Sequence, residues 1–105
     1  MIELATTDAN PKVRAQAWFW LSQAGASETE PAVAAALRKE ADPRVRKQAI
    51  FALSQLPAER AAQALAAVVA DVSLSREDRK HAIFWMGQVD SPIATTYLDR
   101  LLGTK

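Results

Sequence analysis

Apolar residues along this chain recur at helical spacing, and no stretch alternates apolar and polar residues between turn signals as a half-buried strand would. The pattern predicts an all-α chain. Three long segments, 11–24, 43–56 and 76–89, each follow a residue able to cap a helix through its side-chain oxygen: Asn10, Asp42 and Ser75. Pro11 and Pro43 suit the first helical position, where no N–H is needed. Ser75 and Asp78 have the spacing of a capping-box-like pair. Between these segments lie Ala- and Leu-rich ones at 30–40, 59–72 and 92–102, and residues 1–7 read as the last turns of a further helix.

Projecting the long segments at about 100° per residue separates two faces. The first arc holds Trp20, Val13, Ala24, Ala17 and Leu21, with Trp18 at its edge. Its equivalents are Ala52, Val45, Leu56, Ala49, Leu53 and Ile50, then Trp85, Asp78, Val89, Ala82, Met86 and Ile83, where Asp78 interrupts the arc at the capping turn. These residues are expected to face the core. The order Trp20, Ala52, Trp85 suggests two indoles closing over a small residue, though not stacked on each other, because neighbouring helices sit roughly 8–10 Å apart. On this reading Trp20→Ala costs about 3–5 kcal/mol. The other face carries Phe19 with Lys12, Gln16 and Gln23, then Phe51 with Arg44, Gln48 and Gln55, then Phe84 with Glu77, His81 and Gln88.

The faces recur because the sequence does. NPKVRAQAWFWLSQA, from Asn10, lies over DPRVRKQAIFALSQL, from Asp42, at an offset of 32 residues, with identities at Pro11/Pro43, Val13/Val45, Arg14/Arg46, Gln16/Gln48, Ala17/Ala49, Phe19/Phe51, Leu21/Leu53, Ser22/Ser54 and Gln23/Gln55. A third copy from Ser75, at an offset of 33, keeps Arg79, Ala82, Phe84 and Gln88. The unit is a pair of antiparallel helices, repeated side by side.

This pattern, Asp42-Pro43-Arg44-Val45-Arg46 followed by Ala49, Ala52, Leu53 and Ser54, resembles the short-period HEAT-like repeats found in many bacterial proteins and in the phycobilin lyase family. Tetratricopeptide and ankyrin repeats have a similar period, but their signatures are absent. The resemblance implies an all-α right-handed superhelix of about three helix pairs in one domain, with inner helices near 11–24, 43–56 and 76–89 and outer helices near 1–7, 30–40, 59–72 and 92–102. It further implies that an acidic residue six positions before each repeat's arginine bonds to an arginine across the stack. Asp8 and Glu40 stand so before Arg14 and Arg46, whereas Ser73 stands before Arg79, so the third rung of this structural ladder is expected to be weak. A solenoid normally ends in polar capping repeats. Their absence suggests a segment of a longer array, or a short one that stacks on another subunit.

Half of the 105 residues are hydrophobic and 24% are charged, and the formal charge is +1. One domain with a modest core fits this composition. No global field draws the chain to nucleic acid or a membrane surface, and no apolar run reaches membrane-spanning length. Neither a signal peptide nor any other address is legible, so the compartment stays open. Without cysteine there is no disulfide, thiolate metal site or cysteine nucleophile. The lone His81 has no partner at metal-ligand spacing, and the His-Glu pairs of HEAT-like iron hydroxylases are missing. Gly-rich phosphate loops and Ser-His pairs are missing as well. No metal, cofactor or catalytic function is expected. HEAT-like alkylpurine DNA glycosylases use tryptophans on a basic concave face, and this chain carries Lys12, Arg44, Lys47, Arg76 and Lys80. Its near-neutral charge and shorter length disfavour nucleic acid. Likeness to phycobilin lyases is one of scaffold.

What remains is the row of Phe19, Phe51 and Phe84, flanked by Gln16, Gln48 and His81 on one side and Gln23, Gln55 and Gln88 on the other. On a concave surface such a row suits a peptide or protein partner. Two alternatives stand beside this: the phenylalanines fill grooves between adjacent inner helices, or the domain is a structural spacer.

Overall fold

The computed structural model describes residues 2–24, 29–89 and 91–101. Met1 and Leu102, the extreme residues of the expected outer helices, lie outside the described residues, as does the side chain of Ala24. The helices begin where their caps predict. Asn10 Oδ1 accepts from the Lys12 N–H at 2.9 Å, Asp42 Oδ1 from the Arg44 N–H at 2.8 Å, and Ser75 Oγ from the Asp78 N–H at 3.1 Å. Described residues form α1 (Ile2–Thr7), α2 (Pro11–Ala24), α3 (Thr29–Lys39), α4 (Pro43–Ser54), α5 (Ala58–Ala70), α6 (Arg76–Met86) and α7 (Pro92–Leu101), with no strand among them. α4 ends at Ser54 rather than residue 56, because Pro57 disfavours helical backbone in the residue before it. α6 stops at Met86, with Gly87 as its cap, rather than at residue 89.

α2, α4 and α6 pack side by side in one layer, while α3 and α5 flank α4 from the other, and α1 and α7 contact α2 and α5. The principal extents are 47 × 25 × 17 Å, a flat open row rather than a bundle closed on itself. This is an all-α, solenoid-like fold.

Burial follows the stacking. In α4, which has a neighbour on both sides, Val45, Ala49, Ile50, Ala52 and Leu53 are all buried. In α2 the expected arc holds only in part: Ala17, Trp18 and Leu21 are buried, but Val13 is 37% and Trp20 50% exposed. Trp20 is therefore not a core residue, and Trp18 is the indole that closes the core, at 0% exposure. The cause lies in register. The positions of Val13 and Trp20 recur as Asp78 and Trp85, which touch Arg46 and Phe51 of the preceding inner helix. No described helix packs on the corresponding side of α2, so Val13 and Trp20 stay exposed. Trp20 and Trp85 consequently do not close together over Ala52.

The arginine ladder is built in two rungs. Arg14 donates to both carboxylate oxygens of Glu40, from Nε at 2.7 Å and Nη2 at 2.8 Å, and from Nη1 to the Asp8 carbonyl. Arg46 repeats this geometry, from Nη1 to the Glu40 carbonyl at 2.8 Å and from Nε to Asp78 at 3.0 Å. Asp78 thus supplies the acid that Ser73 cannot. It stands where the other repeats have valine, is 3% exposed, and gives its carboxylate to Arg46 instead of completing a capping box with Ser75. Arg79 has no acid bonded to it across the stack: its charge acts on Asp71, and its buried Nε has no hydrogen-bond partner among the described residues.

Burial alone would raise the pKa of Glu40, but hydrogen bonds from Arg14 and the Asp42 N–H outweigh it and hold it below its usual value of 4.5. Arg44 and Ser73 lower Asp42 and Asp71 in the same way. A carboxyl that binds its proton less readily when folded stabilises the fold above its unfolded pKa, and this contribution is lost as pH falls through the folded value. The melting temperature is therefore expected to fall with pH below about 4.5, and Glu40→Gln to flatten that dependence. A thermal melt series from pH 7 to 3 of both proteins tests this.

Candidate partner-binding face

The exposed side of the α2–α4–α6 layer carries the aromatic row expected from the sequence. Phe19 is 37% and Phe84 58% exposed, and Phe51 is half-buried between them. Phe51 sinks because Trp85 leans on it, with ring centroids 5.0 Å apart at 65°. Trp85 also meets Phe84 edge-on at 5.0 Å, and Trp20 meets Phe19 at 5.6 Å. Such edge-to-face pairs fix ring orientation beyond what area burial does. Trp20 and Trp85, which projection assigns to the core, thus border this surface.

Two open hollows run across it. One, of about 270 Å³, is lined by Phe19, Lys47, Gln48, Phe51 and Trp85, and the other by Lys12, Ala15, Gln16, Phe19 and Gln48. Because Phe19 and Gln48 line both, they form one shallow groove between α2 and α4. It is too open to bury a small molecule.

The polar flanks differ in kind. The side chains of Gln16, Gln48 and His81 have no hydrogen bond to other described residues, which leaves their donors and acceptors available. Gln23 and Gln55 are tethered. The Gln23 amide donates to Ser22 Oγ at 3.3 Å and Ser22 donates to the Phe19 carbonyl; Gln55 donates to Ser54 at 3.1 Å and Ser54 to the Phe51 carbonyl at 2.6 Å. Gln88 has Gly87 before it and lacks this link. Ser22 and Ser54 thus hold the glutamine flank in place, and their recurrence in Phe-x-x-Ser-Gln is the sequence signal of that role.

Electrostatically the face is basic. α2 and α4 contain no carboxylate, and Lys12 and Lys47 border the groove. Arg44 is neutralised by Asp42 at 3.1 Å, and Lys80 lies 4.0 Å from Glu77. Among the described residues no group of three His, Cys, Asp or Glu is placed to hold a metal ion, and no helix is long and apolar enough to cross a membrane.

The sequence model of the family described as HEAT repeats matches residues 1–83, which include α2, α4 and most of α6. No curated protein matches the chain.

Proposed function

We propose that this chain, a member of the HEAT-repeat family, is a non-catalytic scaffold that holds a protein or peptide along the exposed side of its inner helices. HEAT repeats commonly mediate protein–protein interaction, and the family is generally non-catalytic. The observation that carries the finer reading is the exposure of Phe19 and Phe84 on either side of a half-buried Phe51, in a row that the fold does not need for its core. Gln16, Gln48 and His81 on one flank and Gln23, Gln55 and Gln88 on the other supply amide and imidazole groups for a bound backbone.

The triple variant Phe19→Ser, Phe51→Ser, Phe84→Ser is expected to keep its helical circular dichroism and lose the proteins that the wild-type chain captures in a pull-down. A folded variant that captures the same proteins would refute the reading. The Phe51–Trp85 contact favours one rival, in which this part of the row is packing within a structural spacer. In that case Phe51→Ser lowers stability and leaves any capture unchanged. Capture that collapses between 50 and 200 mM salt would instead point to nucleic acid.

A further inference from the structure

The face that α1 and α2 turn away from the stack is a copy of the face by which each later repeat docks on its predecessor. Val13 and Trp20 occupy the positions of Val45 and Ala52, both 1% exposed, and of Asp78 and Trp85. Leu4 of α1 is the counterpart of Ala36 in α3, and is 46% exposed where Ala36 is 8%. Asp8 is the counterpart of Glu40, the acid that closes the Arg14 rung from the following repeat. Yet the Asp8 carboxylate bonds only to the Asn10 N–H at 2.9 Å among the described residues.

The opposite end of the row lacks those partners. Arg79, the counterpart of Arg14 and Arg46, acts through its charge on Asp71 at the end of α5, but its buried Nε has no hydrogen-bond partner among the described residues. Phe84, the counterpart of the Phe51 on which Trp85 rests, is 58% exposed. Thus one end offers an acid and an indole, and the other an arginine and a phenyl ring, each at the register position where its partner sits inside the stack.

We infer that a second copy of this chain docks head to tail, its α1–α2 face against the α6 side of the first, with Asp8 of one copy bound to Arg79 of the other and Trp20 seated on Phe84. The contact repeats two that the chain already makes, the Arg14–Glu40 ion pair and the Phe51–Trp85 edge contact. It also covers the exposed Leu4, Val13 and Trp20. Because the two surfaces differ, the contact is heterologous and can repeat from copy to copy. The aromatic row would then run on from one copy to the next.

Sedimentation velocity over a concentration series tests this with the charge-reversal variants Asp8→Arg and Arg79→Asp. The wild-type chain is expected to grow in mass with concentration. Each variant alone sets like charges against each other and should weaken self-association about thirtyfold or more. An equimolar mixture of the two should associate again, since every interface between the two variants joins opposite charges. A wild-type chain that stays monomeric up to about 1 mM would overturn the inference, as would variants that associate as well as wild type or a mixture that does not recover. Since substitution of Arg79 can also perturb folding, a second measurement uses the absence of cysteine from the chain. Asp8→Cys and Arg79→Cys in one chain should give a ladder of cross-linked oligomers with a short bismaleimide. The pair Asp8→Cys and Val72→Cys, the latter at a site 82% exposed, should not; equal ladders would overturn the inference.

Discussion

Trp18→Ala is expected to destabilise the domain by about 3–5 kcal/mol, whereas Trp20→Ala, two residues on, should cost less than about 1 kcal/mol. Trp18 has no exposed surface, and its repeat counterpart Ile50 is equally buried, so truncation leaves a void that rigid neighbouring helices cannot fill. Trp20 is half exposed and meets Phe19 by one edge. The Trp18 Nε1 group has no hydrogen-bond partner among the described residues, so Trp18→Phe, which keeps an aromatic ring and removes that donor, should cost much less than the alanine variant. Urea melts read the ranking from the midpoints, provided the slopes agree. Equal losses from Trp18→Ala and Trp20→Ala would contradict the burial assigned to them.

Arg46→Met should be as damaging, at about 3–5 kcal/mol, because it strands the Asp78 carboxylate inside the stack. That carboxylate is 4% exposed and Arg46 is the partner that neutralises it, from Nε at 3.0 Å. Removing both charges is a different matter. The double variant Arg46→Met, Asp78→Val places at residue 78 the valine that Val13 and Val45 occupy in the other repeats, and should recover most of the loss. For a domain of this size, 1 kcal/mol shifts the melting temperature by roughly 4–8 °C, so the single and double variants are easily separated by calorimetry. A double variant no more stable than Arg46→Met would mean that the ion pair does more than offset its own burial.

The architecture was legible because three signals agreed: the recurrence at 32 and 33 residues, the caps at Asn10, Asp42 and Ser75, and apolar spacing suited to helices. The core of α4 could be read from projection because that helix is covered on both sides. The core of α2 could not, since a helical wheel assumes the same neighbours for every copy, and among the described residues Val13 and Trp20 lack one of theirs. Asp78 escaped for a related reason. Projection shows a polar break in an apolar arc, while the buried partner that makes it tolerable lies 32 residues away in α4. For the candidate face, the sequence placed Phe19 and Phe84 on an exposed side, and their exposure agrees. It did not foresee that Trp85 would lean on Phe51, because that contact depends on helix separation and tilt.

The missing serine at position 87 gives the glutamine flank two unlike ends. Gly87 has ordinary helical backbone, φ −65° and ψ −19°, and a Cβ there would sit 3.3 Å from the Phe84 carbonyl, the acceptor that Ser22 and Ser54 reach in their own repeats. Gln23 and Gln55 therefore meet any guest with rotamers already restrained. Gln88 must surrender its freedom at the moment of contact, at about 0.5–1.5 kcal/mol. On the proposed reading, a guest laid along the row would find a stiff margin beside α2 and α4 and a compliant one beside α6, which would give the strip a direction that its repeated phenylalanines alone would lack.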